Sequence, residues 1–140
     1  HPEYLSCLYK PMFYPHLGGD KPGISPVFSY YKGQLTCRYL RQYIELGHEM
    51  MGTPLSSIEL EAFDVIDTIS QDANLRIDMM MEPGDMQLVN NYAVMHSRTS
   101  FVDFDEVERR RKKLRLWLRC ENARELGYSF PGREGFPDPN

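Results

Sequence analysis

The sequence predicts an α+β, mainly β domain in which two helices cover a sheet. Leu75, Ile77, Met79 and Met81 alternate with Arg76, Asp78 and Met80, and Leu114, Leu116 and Leu118 alternate with Arg115, Trp117 and Arg119. That period of two is the signature of a half-buried strand. Between residues 37 and 72 the apolar spacing lengthens to the three-to-four rhythm of helices. The 140 residues, 41% hydrophobic and 12% aromatic, suffice for a single domain, 1–140, with its own core.

Taken in order, residues 1–26 carry proline and glycine clusters such as Gly18-Gly19 and Pro22-Gly23 and read as a loop over the core, with a short helix at Pro2 to Leu8. Val27–Tyr31 and Gln34–Thr36 flank Lys32-Gly33, a tight turn between two short strands. Residues 37–72 form a helical insert. Tyr39, Leu40, Tyr43, Ile44 and Leu46 set the first helix, from Cys37 to Met51, which Gly52-Thr53-Pro54 stops. Ser56 with Glu59 three residues on makes a capping box, and Ile58, Ala62, Val65, Ile66 and Ile69 continue that helix to Asp72. Core strands are expected over 75–119: Leu75–Met81, then Met86–Tyr92 after the turn Glu82-Pro83-Gly84-Asp85, then Leu114–Arg119. Acids from Asp103 to Glu108 and bases from Arg109 to Lys113 make a solvated link, and residues 127–140 an irregular tail.

Sixteen basic against 20 acidic side chains, a net charge of −4, argue against a nucleic-acid or anionic-membrane binder, since such partners select a basic surface. No apolar run approaches the roughly 18 residues of a membrane span, so a soluble, cytoplasmic protein is expected. Cys7, Cys37 and Cys120 are odd in number and widely spaced, which fits reduced thiols rather than a disulfide frame or a zinc knot. The chain starts at His1-Pro2 without a methionine, and a piece of a longer protein is the expectation.

Chemistry is concentrated in the segment from Gly84 to Leu118. His96 follows an apolar strand and precedes Ser97-Arg98-Thr99, a position from which an imidazole can reach a metal; alone, such a histidine is more often structural. Arg115 alternates with leucines. Its guanidinium cannot lose its charge, so a buried position demands a carboxylate, which the planar fork grips through two parallel hydrogen bonds. Arg111 shares that strand parity, although by itself it reads as one more member of a solvated basic run. A phosphate-binding patch over Arg109–Arg119 is weakened by the neighbouring acids and the lack of an aromatic ladder.

Pro83-Gly84-Asp85-Met86 to Asn90-Asn91, Val94-Met95-His96-Ser97-Arg98-Thr99-Ser100-Phe101 to Asp103, and Arg110-Arg111 to Leu114-Arg115-Leu116-Trp117-Leu118 together resemble the C-terminal half of the taurine dioxygenase-like (TauD/TfdA) family of Fe(II)- and 2-oxoglutarate-dependent dioxygenases. Pro26-Val27-Phe28-Ser29, Arg38-Tyr39 and Glu61-Ala62 are similar to that family too. The resemblance spans roughly residues 1 to 120 and is densest over 83–118. It implies a double-stranded β-helix, or jelly roll, holding iron on two histidines and one carboxylate, a set that leaves positions open for 2-oxoglutarate and O2. His96 is similar to the distal histidine ligand. Arg115 looks like the arginine on the C5 carboxylate of 2-oxoglutarate, and Arg111 like its partner nearer the C1 carboxylate.

The family's His-x-Asp or His-x-Glu pair has only one textual match, His1-Pro2-Glu3, which reads instead as a helix start with proline in its first turn. His16 with Asp20 has the wrong spacing, and His48 beside Glu49 is expected on an exposed helix face. The expectation is therefore an incomplete jelly roll, a C-terminal portion or shortened version of a dioxygenase that hydroxylates a small-molecule C–H bond while 2-oxoglutarate loses CO2 to give succinate. The remaining iron ligands would come from a missing N-terminal half or another subunit. The alternative is a non-catalytic remnant or assembly module that keeps a carboxylate-binding pocket. Asn91, Tyr92 and Trp117 are candidate pocket residues, each of a kind that is more often ordinary packing.

Overall fold

The computed structural model describes residues 1–15, 22–118, 120–127 and 130. Helix α1, Pro2–Leu8, begins with proline at its first turn, where a missing N–H costs nothing, and carries Glu3 against the positive end of the helix. Strands β1 (Met12–Tyr14) and β2 (Gly23–Ser25) then pair antiparallel with Phe13 opposite Ile24. This pairing lies inside the region expected to be loop; three-residue strands are too short to show a period. Met12 and Tyr14 point inward and are buried, while Phe13 between them is half-buried.

The hairpin expected around Lys32-Gly33 forms. Strands β3 (Phe28–Tyr31) and β4 (Gln34–Cys37) are antiparallel from Phe28↔Cys37 to Tyr31↔Gln34. Both turn residues take positive φ, 48° at Lys32 and 79° at Gly33, the backbone sense that suits the twist of a two-residue hairpin.

Helix α2 runs Arg41–Met50 and starts four residues later than its periodicity suggests. The reason is competition for the backbone: Cys37 still pairs in β4, its N–H donates to Tyr92 O at 2.9 Å, and the Arg38 N–H donates to Val27 O at 2.8 Å. Helix α3, Ser57–Ser70, has the expected start. The Ser56 N–H and hydroxyl both donate to Glu59 Oε2, at 2.8 and 2.7 Å, closing the capping box.

These elements share one core of Leu8, Met12, Tyr14, Val27, Ile44, Ala62, Phe63 and Ile66. Helix α2 crosses β1 at Gly47, where a Cβ would lie 2.6 Å from the Phe13 carbonyl carbon and 3.0 Å from Tyr14 N. Only glycine permits that approach. Arg41 ties α2 to α3 through Asp64 at 2.6 Å and Asp67 at 2.8 Å, and Tyr39 donates to Asp67 Oδ1 at 2.8 Å.

The second half of the chain departs from expectation. The strands expected at 75–81, 86–92 and 114–119 are absent: beyond α3 the described residues hold a single 3-10 turn, Val107–Arg109, and otherwise extended chain and turns. Arg119 itself lies outside the described residues, as do His16, Asp20 and most of the 127–140 tail. A period of two marks a segment that fits a half-buried strand, but a strand also needs a neighbour to accept its backbone hydrogen bonds. Apart from Cys37 N–H to Tyr92 O, the backbone hydrogen bonds that residues 75–118 make among the described residues are local turns such as Ala93 N–H to Asn90 O and Asp85 N–H to Glu82 O. The described residues thus form two two-stranded sheets and three helices, with no closed barrel among them. No helix among them is long and apolar enough to cross a membrane.

Candidate functional site

Tyr92 is where the second half of the chain is fastened to the first. Its carbonyl accepts from Cys37, its ring meets Phe130 edge-on at 5.6 Å, and burial raises its hydroxyl pKa. Phe130 and Leu126 are themselves buried, with Lys32–Glu125 at 2.6 Å and Arg124 donating to Leu35 O at 2.7 Å holding that stretch along the hairpin. His96 lies four residues past this anchor and is exposed.

From His96 the chain runs to Phe101, and here it meets Arg111. The Arg98 guanidinium lies 4.5 Å from the centre of the Phe101 ring and the Arg111 guanidinium 5.0 Å from the same ring. Cations over an aromatic face are attracted by its quadrupole. Asp103 fixes the approach: its Oδ1 accepts from Phe104 N at 3.1 Å and from Arg111 N at 2.9 Å, closing the loop of the acidic and basic residues. Arg111 is therefore placed against Phe101, five residues along the chain from His96. Sequence reasoning passed over Phe101 as the meeting point; the signal available was its spacing three residues after Arg98.

Arg115 is exposed, and the parity argument for it does not hold in this arrangement. Leu114, Leu116 and Leu118, expected beneath the helices, are exposed, Leu114 completely. With no adjacent strand, neither face of the segment is inside. The nearest tie from this stretch runs from Lys113 Nζ to Met81 Sδ at 3.3 Å, which sets it beside the segment also expected to be a strand. Asn91 and Trp117 are exposed as well.

The remaining candidate ligands are dispersed. His1 Nδ1 lies 2.8 Å from Glu3 Oε1 and its ring stacks on Tyr4 at 5.0 Å, so this pair is engaged at the start of α1. His48 is half-buried, contrary to expectation. Its Nδ1–H donates to Thr53 O at 2.8 Å while Nε2 accepts from Phe13 N–H at 3.3 Å, so both nitrogens are used in joining α2 to β1 and to the following turn. The three cysteines are free thiols. Burial pushes the Cys37 thiol up to about 11, away from the thiolate a metal would bind. Among the described residues no three His, Cys, Asp or Glu side chains gather as a metal site. An open groove of about 450 Å3 lies elsewhere, lined by Glu45, His48, Glu49, Thr53, Leu55 and Leu60, and includes none of His96, Arg111 and Arg115.

The family described as taurine catabolism dioxygenase TauD, TfdA matches residues 9–117, which takes in the core apart from Leu8, and His96, Arg111 and Arg115. FR-33289 synthase of Streptomyces rubellomurinus (strain ATCC 31215) is 34% identical over 137 residues, covering 92% of this chain. The chain spans 40% of that relative's length. The match crosses both the packed first half and the extended second half, and on it the chain belongs to the TauD/TfdA dioxygenase family.

Proposed function

We propose that this chain carries the distal metal ligand and the cosubstrate arginines of an Fe(II)- and 2-oxoglutarate-dependent dioxygenase that acts on a small molecule in the cytoplasm, with no nucleic acid or membrane as partner. The observation that carries this reading is the family match over 9–117, a span that takes in His96, Arg111 and Arg115. His96 is the metal ligand in this reading. Arg115 holds the C5 carboxylate of 2-oxoglutarate and Arg111 the C1 end, each able to offer a planar fork of donors.

Among the described residues no cluster of three metal ligands forms, and this reading takes one histidine from the chain. The His-x-Asp pair is therefore assigned to sequence outside 1–140 or to another subunit. We assign the jelly roll to the complete enzyme, in which 75–81, 86–92 and 114–119 would gain the neighbours that turn extended chain into strands. The exposed apolar side chains there, among them Ile77, Met80, Met86, Leu116 and Leu118, support this, because an apolar run left in water is unfavourable and is covered in stable proteins.

The test is succinate release from 2-oxoglutarate in the presence of iron(II) and oxygen, by this chain and by the longer polypeptide or complex isolated with it. Release by the longer species that is abolished by His96→Ala supports the reading. Iron binding and turnover that survive His96→Ala would sink it. The dispersal of ligands favours one alternative, a carboxylate-binding module without catalysis, whose mark would be 2-oxoglutarate binding with no succinate formed by any assembly containing the chain.

A further inference from the structure

We propose that residues 124–127 and 130 form a strap that sets the position of His96 by clamping Tyr92 against the β3–β4 hairpin. Leu126 and Phe130 are buried, yet neither belongs to the core that α1, β1, α2 and α3 share. What they cover is the hairpin. Glu125 accepts from Lys32 Nζ on both carboxylate oxygens, at 2.6 and 2.7 Å. Gly127 passes so close to Ser29 that a Cβ would lie 2.7 Å from its Oγ. Strand β4 offers an open edge to this stretch. Leu35 and Cys37 are two apart on it, so the main-chain groups of both face away from β3. The Leu35 carbonyl takes the Arg124 guanidinium at 2.7 Å, and the Cys37 N–H takes the Tyr92 carbonyl at 2.9 Å.

Tyr92 is held from two sides, its carbonyl on β4 and its ring against the Phe130 ring, 5.6 Å between centres and edge-on at 73°. Among the described residues, its bond to Cys37 is the main-chain hydrogen bond that joins 75–118 to the first half of the chain. The hold extends to His96 because Tyr92 sits inside a closed turn. Asn90 O accepts from Ala93 N at 3.0 Å and Val94 N at 3.2 Å, while Asn90 Oδ1 accepts from Tyr92 N at 3.2 Å. Only Met95 separates that turn from His96, and four residues of chain span at most about 14 Å from Tyr92. Phe130 is thus a positioning residue that acts through Tyr92.

The use made of His96 rests on the proposed function; the strap itself requires neither iron nor 2-oxoglutarate. Amide hydrogen exchange of the whole chain, read by NMR, tests the clamp. Phe130→Ala is expected to speed exchange at the Cys37 N–H by about tenfold and to leave the core amides of Ile44 and Phe63 unchanged. Phe130→Leu should recover part of the protection. Arg124→Gln, which opens no cavity, should speed Cys37 by a smaller factor, and Arg76→Gln should not move it. In the longer polypeptide or complex isolated with the chain, Phe130→Ala should raise the iron(II) concentration that gives half-maximal succinate release, at unchanged KM for 2-oxoglutarate. Exchange at Cys37 that ignores both Phe130→Ala and Arg124→Gln overturns the proposal. Equal acceleration at Cys37, Ile44 and Phe63 also overturns it, by making Phe130 an ordinary packing residue, and so does an iron dependence that Phe130→Ala leaves in place. Turnover that survives His96→Ala defeats the proposed function instead, and the exchange rates then still decide whether the strap holds Tyr92.

Discussion

Gly47→Ala sets two effects of opposite sign against each other, and the structure decides between them. In the interior of α2 an alanine is worth roughly 0.8–1.0 kcal/mol over glycine. The new methyl, however, would sit 2.6 Å from the Phe13 carbonyl carbon and 3.0 Å from Tyr14 N, both main-chain atoms. Carbon atoms prefer about 3.5–4.0 Å. Strand β1 and helix α2 must therefore separate by on the order of 1 Å, and such overpacking costs about 1–3 kcal/mol. The separation also stretches the Phe13 N–H to His48 Nε2 bond, already 3.3 Å, whose loss costs about 0.5–1.5 kcal/mol. Net destabilisation of about 1–3 kcal/mol is expected. Urea unfolding followed by circular dichroism should show the midpoint falling by about 1 M at unchanged slope. A Gly47→Ala protein as stable as the parent, or more so, would refute the close approach of α2 to β1.

The cap of α3 yields a pH signature. At Glu59 burial favours the neutral acid, but the Ser56 N–H and hydroxyl, with Lys10 adding, outweigh it and hold the carboxyl below its ordinary value. A depressed folded pKa means the stabilisation is present above the unfolded pKa of about 4.3 and is lost as pH falls through the lower folded value. Ser56→Ala should cost about 1 kcal/mol at neutral pH and less in acid; an equal cost at both, read from urea midpoints, would contradict this. For the thiols, alkylation with iodoacetamide at pH 8 should label exposed Cys120 and spare Cys37, whose pKa is about 11, and mass spectrometry showing Cys37 labelled at the same rate would refute its burial.

The first half of the fold was legible because its signals are local. The Ser56-to-Glu59 box, the Lys32-Gly33 turn and proline at the head of α1 each specify backbone within a few residues. What could not be read there was competition, as where β4 and Tyr92 claim Cys37 and delay α2 to Arg41. In the second half the period at 75–81 and 114–118 is real in the sequence, but a strand is a relation between two segments, and alternation names only one of them. The candidate site divides likewise. Arg111 meets Asp103 and Phe101, eight and ten residues back along the chain, a loop closure that strand parity does not disclose. Arg115 and the leucines around it stay in the open for want of a neighbour, so the inward parity read from sequence has no interior to point to.

Calorimetric titration of 2-oxoglutarate into the chain and into Arg115→Gln bears most directly on the cosubstrate assignment. Removing a charge-assisted, two-pronged carboxylate contact worth about 1.5–3 kcal/mol should weaken binding by about tenfold or more. Equal affinity in the two proteins would take Arg115 out of the site and the cosubstrate reading with it.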